Sequence, residues 1–401
     1  MMEPKDFLQT IEFRRMREIQ TDLLRRFIRL CEDHDIPYFA VYGTLLGACR
    51  NRGFIPWDDD VDVAVWRRDY DRLKEIAGSV EAPYHLVFPE DEDCDYYGGA
   101  IRFQNTDTTN INLDEFSVCD SYGIGIDIEV IDYTFSGILL QSCKNRLLQF
   151  VYDLVLMQKY GERHCCIRQQ AKGRKWMLRG ISSLLDRKRI LHLVKRAETL
   201  HGFRESSCSI YVYHQHDNLQ AAWFSETIRL PFEDFTIAAP AQYQECLNSF
   251  YGSRYHVPPP PDRQVPTHIL GRYIDPYTPY RETIARLCRS MYAPEGKIFL
   301  IWGAGNMFEH FVRHFGQINM PDYLIDNDPV KWGTTRHGCP VCPPEILKQY
   351  RADEIHLVIC NIYVSEISSQ IRSMGDYEYS IYWENWVDAE LGAGSKRNRA
   401  D

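Results

Sequence analysis

Asp60-Val61-Asp62-Val63 closes the stretch from Gly43 to Val65 that holds the most suggestive chemistry in the chain. In an extended segment successive side chains alternate faces, so Asp60 and Asp62 share one side while Val61 and Val63 enter a core on the other. Paired carboxylates are hard oxygen ligands suited to Mg²⁺ or Mn²⁺, ions that keep several waters and are completed by substrate phosphates. Phosphate chemistry is the implied use, and an acidic surface turn is the competing one. A third acid lies in Gly125-Ile126-Asp127-Ile128-Glu129-Val130-Ile131-Asp132, where apolar neighbours predict a buried strand with Asp127 facing the same cleft. Alternation puts Glu129 on that side too. A buried ionised carboxylate is costly unless it is paired or coordinates a metal.

The elements that must position these acids are legible upstream. Tyr38-Phe39-Ala40-Val41-Tyr42 is a β-prone run closed by Gly43-Thr44, after which Leu45, Leu46 and Ala48 recur at helical spacing. The expected order is strand, Gly-Thr turn and helix, with the glycine admitting a phosphate to the backbone and the helix N-terminus offering free N–H groups. Arg50 and Arg52 add fixed positive charge between that turn and the acidic strand. Asp58 falls on the strand face of Asp60, as an outer ligand, and Asp59 is expected to point away.

These residues carry a resemblance. Gly43-Thr44-Leu45-Leu46-Gly47-Ala48, Arg50, Gly53 through Asp62, Ile101-Arg102-Phe103 with Thr108-Thr109, and Ile126-Asp127-Ile128 resemble the LicD family, relatives of fukutin. Leu230-Pro231-Phe232-Glu233, Pro240, Tyr243, Tyr251-Gly252, Pro258 to Pro261 and His268 are similar to the closing part of that family's domain, so the likeness spans residues 20–275 with a poorly matching middle. The resemblance implies a nucleotidyltransferase-type fold in which Asp60, Asp62 and Asp127 bind the metal and act in catalysis. Gly43, Thr44, Arg50, Arg52, Asp58, Arg102, Glu129 and His268 would then contact phosphates and substrate, with Asp127 or Glu129 taking the proton of the attacking hydroxyl. It further implies transfer of phosphocholine or a related phospho-substituent from a CDP-activated donor to a cell-surface glycan. Two readings remain beside it: a nucleotidyltransferase that builds an activated donor, and a non-catalytic nucleotide-sugar-binding protein. The chain departs from the family pattern at Glu129-Val130, where Phe-Pro is usual, and mildly at Cys49 and Asn51.

Composition sets outer bounds. The 401 residues, 44% hydrophobic and 25% charged, are those of a globular protein with material for two domains or three. The N-terminus lacks a basic-then-apolar signal and no apolar run approaches the roughly 20 residues that span a bilayer, so the expectation is a cytoplasmic enzyme, at most on the inner membrane face. Thirteen scattered cysteines suit free thiols in that setting. Cys339-Pro-Val-Cys342, Cys165-Cys166 beside His164, and His214-x-His216 lack the further ligands that a zinc site needs.

Net charge is −10, yet from Lys144 to Arg196 fourteen Lys or Arg face only three acids. Apolar residues recur there at intervals of 3 and 4, so residues 144–200 read as a basic insert of amphipathic helices. They either cover the catalytic sheet with a solvated basic face or present that face to anionic material, a lipid-linked glycan acceptor at a membrane surface or its phosphates. No recognition motif for nucleic acid accompanies the charge. The prolines from Pro258 to Pro261 shape a loop at the catalytic mouth near Arg263 and His268.

Arg281 to Tyr292 reads as helical, and Ala293-Pro294-Glu295-Gly296 as a domain boundary. The predicted organisation is therefore α/β: an α+β nucleotidyltransferase-fold domain with a mixed sheet over 1–292, a small parallel-sheet domain over 293–388, and a flexible tail over 389–401. Lys297 to Trp302 reads as a buried strand entering Gly303-Ala304-Gly305, with Asn306 opening the next helix and Asp326 about twenty residues on, where a dinucleotide fold places its ribose-binding acid. Residues 296–385 are similar to the small Rossmann-like domains that precede sugar O-acyltransferases and bind nucleotide-sugars. Phe308 stands in place of the third glycine, and a degenerate unit used for packing or dimerisation is the equal alternative.

Overall fold

The computed structural model describes residues 7–91, 100–112, 123–135, 137–161, 167, 169–200, 207–212, 215–216, 219–268, 272–283, 296–315 and 320–382. They divide into two compact units, one drawn from residues 2–111 and 119–278, the other from 112–118 and 279–401. The division falls between Thr278 and Pro279, earlier than the expected boundary at 292/293. Of the helix expected over Arg281 to Tyr292, Arg281 to Thr283 lie among the described residues, where they are helical; the rest of it and the expected tail lie outside them.

The first unit opens with α1 (Ile11–Asp33), whose Thr10 cap accepts the Phe13 N–H and whose apolar positions, Phe13, Met16, Leu23, Leu24 and Phe27 among them, follow helical spacing into the core. Next come β1 (Tyr38–Ala40), α2 (Tyr42–Asn51), β2 (Asp62–Trp66), α3 (Arg67–Ile76), β3 (Tyr84–Val87), β4 (Ile101–Asn105), β5 (Thr109–Asn112) and β6 (Ile124–Tyr133). The insert supplies α4 (Ile138–Tyr160), α5 (Lys172–Leu184) and α6 (Arg187–Glu198). The unit closes with β7 (Ser207–Val212), β8 (Gln215–His216), β9 (Leu219–Gln220), β10 (Thr227–Phe232), β11 (Phe235–Pro240), α7 (Tyr243–Tyr251) and β12 (Arg272–Asp275).

The central sheet runs β1-β2-β6-β4-β3, with β7 beside the end of β6 and itself joined by β8 and β9. Among the described strands β2 and β6 are the parallel pair, so the sheet is mixed, as expected. The run at 124–131 is nearly all buried because β6 is central, covered on both faces and paired on both edges. Helix α2 begins at Tyr42, one residue before the glycine. Tyr42 takes a positive φ (44°), and Gly43 and Thr44, expected as a turn before the helix, form part of its first turn.

The insert has its own core, built from Leu148, Val151 and Leu154 of α4, Leu178 of α5, and Ile190 and Val194 of α6. It is tied to the sheet by charge. Arg67, at the start of α3, donates from Nε and Nη2 to Asp132 at the end of β6 and from Nη2 to Glu198 of α6 (2.9 Å). Lys144, counted with the basic surface in the sequence, is instead buried, its ammonium donating to the Tyr133 carbonyl (3.1 Å).

The second unit holds β13 (Ile298–Trp302), α8 (Asn306–Phe315), β14 (Tyr323–Ile325), β15 (Thr335–Arg336), β16 (Cys339–Cys342), β17 (Ile355–Ile359), α9 (Val364–Met374) and β18 (Tyr379–Ile381). Its sheet order is β15-β16-β14-β13-β17-β18, parallel throughout except for the β15–β16 pair. Cys339 and Cys342 lie on one strand and are free thiols.

Candidate active site

Asp62 opens β2 and is the register partner of Asp127 on the parallel strand β6, while Arg102 of β4 is the antiparallel partner of Asp127 from the other side. Adjacent strands lie about 4.8 Å apart, so the pairing itself brings the two acids together. Both backbones are pinned: the Asp62 N–H donates to Thr44 Oγ1 (2.8 Å) and the Asp127 N–H to the Val61 carbonyl (2.9 Å). Arg102 Nη1 lies 3.4 Å from Asp127 Oδ1. Its side chain crosses Gly125, where an added Cβ would come within 2.8 Å of Nε.

Residues 58–61 are not a strand, and alternation therefore does not hold there. The Asp59 side chain, expected to point away, is turned inward and fully buried; its Oδ2 accepts the His268 backbone N–H (2.9 Å) and its Oδ1 faces His268 Nδ1 (3.0 Å). The same Nδ1 is 3.0 Å from Asp60 Oδ2. Ligand atoms of Asp59, Asp60 and His268 lie within 4.8 Å of one another; among the described residues this is the cluster that meets so tight a spacing, and Asp60, Asp62 and Asp127 are more widely set. Helix α1 fixes the loop through its carbonyls: Arg17 Nη2 donates to Ile55 O (2.6 Å) and to Asp58 O, and Gln20 Nε2 to Asp59 O (3.0 Å). Gly43 is needed where it stands, since a Cβ would lie 2.5 Å from Asp58 Oδ2.

The electrostatics follow from crowding. Burial, then the charge of Asp60 and a hydrogen bond with it, push the Asp58 carboxyl up to about 8. Burial, then the charges of Asp60, Asp127, Glu129 and Asp58, push Asp62 well above the carboxylate range. Burial also opposes ionisation of Asp60, but the hydrogen bond and charge of His268, with smaller help from Asp58 and Arg272, outweigh it and hold Asp60 low. Hydrogen bonds to Asp59 and Asp60 raise His268 to about 11 against its burial, so the ring is an imidazolium. Six carboxyl groups thus surround a single positive ring, and two of them, Asp58 and Asp62, are held as acids. Such a set fits a divalent cation, which replaces protons as the counter-charge for crowded carboxylates.

The structure brings together Asp58, Asp60, Asp62, Asp127, Glu129, Arg102, Gly43, Thr44 and His268. Arg50 stands at the margin, its guanidinium over the Trp57 ring at 5.7 Å and close enough for the Asp58 charge to act on it. Arg52 does not join them: it is the exposed left-handed residue ending α2, and its carbonyl accepts the Glu233 N–H (2.8 Å). Asp59, Arg17, Gln20 and Arg272 were not foreseen. The one available signal was Gln20, a polar residue at a core position of the α1 stripe.

In the second unit Gly303 has φ 129° and a Cβ there would strike the Cys360 carbonyl at 2.1 Å, so close packing explains this glycine. Space around Gly305 is open, and Asn306 begins α8. Asp326 is engaged within the loop: Oδ2 accepts the Ala304 N–H (3.0 Å) and the Lys331 ammonium (2.8 Å), and Oδ1 the Asp328 N–H (2.9 Å).

A short strand and helix laid against an acidic strand, with a further acid on the parallel neighbour, form the arrangement expected of a nucleotidyltransferase-type fold. Residues 35–135 match the LicD/FKTN/FKRP nucleotidyltransferase domain. Lipopolysaccharide cholinephosphotransferase LicD of Haemophilus influenzae is 26% identical over 282 residues, which cover 67% of this chain and 100% of that protein. An uncharacterized protein of Rickettsia prowazekii, RP689, is 37% identical over 59 residues, 15% of this chain and 22% of its own length.

Proposed function

We propose that the chain is a metal-dependent phosphotransferase that moves phosphocholine, or a closely related phospho-substituent, from a CDP-activated donor to a hydroxyl of a cell-surface glycan such as a lipopolysaccharide, capsule or teichoic acid. The observation that carries the reading is the in-register pair Asp62–Asp127 within a cluster of mutually perturbing carboxyls, in a segment that matches the LicD/FKTN/FKRP nucleotidyltransferase domain. The name of the Haemophilus influenzae relative supplies the transferred group and the acceptor class.

Asp60, Asp62 and Asp127 would hold a Mg²⁺ or Mn²⁺ ion, with Asp58 behind them. Bound there, the ion would neutralise the donor diphosphate and stabilise charge in an in-line displacement. Arg102, paired with Asp127, is placed to meet phosphate oxygens, with Arg50 at the margin, and the first turn of α2 offers N–H groups at Gly43 and Thr44. Asp127 takes the proton of the attacking hydroxyl. Its side chain is 23% exposed whereas Glu129 is 4% exposed, which favours Asp127 over its neighbour as the group that meets an acceptor. His268 keeps Asp60 ionised and holds Asp59 and Asp60 in place.

The test is incubation of the purified chain with Mn²⁺ and a panel of CDP-alcohols, followed by analysis of the released nucleotide. CMP released by the wild type and not by Asp62→Asn is the expected result. Pyrophosphate released from CTP instead would make the chain a nucleotidyltransferase, and no release in either format would overturn the reading.

A further inference from the structure

Helix α5 presents an unusual outward face. Its inner side, with Leu178 and Ser182 buried, packs into the insert's own core. On the outer side Trp176 is 81% exposed and Leu184 79% exposed, with Met177 also exposed. Trp176, Gly180 and Leu184 are four residues apart and Gly173 and Met177 fall beside them, so they form one stripe about 12 Å long from Trp176 to Leu184. The glycines at 173 and 180 leave the indole standing clear of its surroundings, and no atom lies within 4 Å of where their Cβ atoms would be. Lys172 and Arg179, both exposed, run along one edge of the stripe, with Lys175 on the shoulder and Arg174 paired to Asp153 (2.6 Å). From Ala171 to Leu185 there is no acidic residue, in a chain whose net charge is −10.

We propose that this face of α5 is a docking surface for an anionic phospholipid bilayer. An apolar stripe headed by a tryptophan and bordered by Lys and Arg matches the interfacial layer, where the indole lies at headgroup depth and the basic side chains reach lipid phosphates. Charge complementarity selects this occupant. Residues 171–185 carry four cations, one of them paired to Asp153, and no acid of their own, within a segment from Lys144 to Arg196 that has fourteen Lys or Arg against three acids. That balance suits a negative surface and would repel a second copy of the same helix. None of the described helices is long and apolar enough to cross a membrane, so contact of this kind lies in the plane of the interface. The inference deepens the acceptor reading above, because a lipid-linked glycan would meet the enzyme at such a surface, but its test needs neither donor nor metal.

The full chain is mixed with vesicles of phosphatidylcholine alone, or with about 30% phosphatidylglycerol, at about 0.1 M salt, and bound protein is separated by sedimentation. Binding to the anionic vesicles is expected, falling by about tenfold or more in Trp176→Ser/Leu184→Ser and in Lys172→Ser/Arg179→Ser. These side chains are solvent-exposed, so melting temperatures should match the wild type; Trp176→Ser alone serves if a double variant does not fold. Asp62→Asn should bind vesicles like the wild type, which separates failure of this proposal from failure of the catalytic one. Equal sedimentation with and without anionic lipid, undiminished binding of both double variants, or a dimer by light scattering that Trp176→Ser converts to monomer would each overturn it.

Discussion

Asp62 and Asp127 are direct register partners on the two parallel strands of the central sheet, and the carboxyl of Asp62 is pushed far above its ordinary range by burial and by the acids around it. That strain is local and electrostatic. Asp62→Asn and Asp127→Asn should therefore each reduce CMP release by orders of magnitude. Asp62→Asn should leave the metal-free melting temperature unchanged or higher, because the amide replaces a carboxyl whose ionisation burial and the surrounding acids already oppose and no packing is lost, whereas Asp127→Asn also removes the carboxylate that faces Arg102. Calorimetry beside the activity assay checks both halves, and a variant with near-normal turnover would remove these acids from the mechanism.

Asp58 gives a pH prediction with a definite sign. Its carboxyl is raised from 3.8 to about 8 in the folded chain, so between those values the folded state binds a proton that the unfolded state releases. Stability from this group is present in full below the unfolded value and is lost as pH rises toward 8. In divalent-free buffer the wild type should lose melting temperature across that window relative to Asp58→Asn. Mn²⁺ competes with the proton, so the thermal shift it produces should grow with pH. Parallel pH curves for the two proteins would contradict the assignment.

His268→Ala should destabilise the fold by about 1–2 kcal/mol near neutral pH, since it leaves the buried carboxylate of Asp59 without its ring partner. The figure is held low because the histidine side chain is 53% exposed. As a raised histidine, its contribution is complete below about 6.5 and fades as pH climbs toward about 11. The difference between variant and wild type in urea titrations should narrow accordingly in alkaline buffer.

Removal of Arg67 acts at the opposite end of the same two strands. Asp132 and Glu198 are 4% and 6% exposed in their side chains and both depend on its guanidinium. Arg67→Ala should cost about 3–5 kcal/mol, with part recovered by Glu198→Gln in the same chain. Denaturant midpoints of the two variants test this, and equal midpoints would show that Glu198 is satisfied elsewhere.

Much of this organisation was readable from periodicity and motif. The β6 run announced itself because both immediate neighbours of Asp127, Ile126 and Ile128, are apolar, and β13 because Ile298 to Trp302 has no charged or amide position. The mixed sheet of the first unit was anticipated from the family resemblance, and the largely parallel sheet of the second from its strand, Gly-x-Gly turn and helix order and the resemblance it carries. Asp59 was misplaced because alternation was extended into residues that hold no strand geometry. Arg17 and Gln20 were missed because their partners lie some forty positions away, and no local pattern encodes a contact of that separation. Lys144 was counted with the surface because charge composition does not distinguish an ammonium in solvent from one buried against the Tyr133 carbonyl. Asp326 matched a motif spacing, yet its oxygens bind Lys331 and the turn's own N–H groups, a use that spacing alone does not distinguish from ligand contact.

Arg17 and Gln20 grip main-chain oxygens of Ile55, Asp58 and Asp59 and leave the loop's own side chains out of the clamp. On the α1 side the path of this segment is thereby decoupled from the ionic character of what it displays. Amide replacements at 58 and 60 leave the Asp59 bond to the His268 N–H in place, so that a change in ion preference between them reports field strength rather than shape.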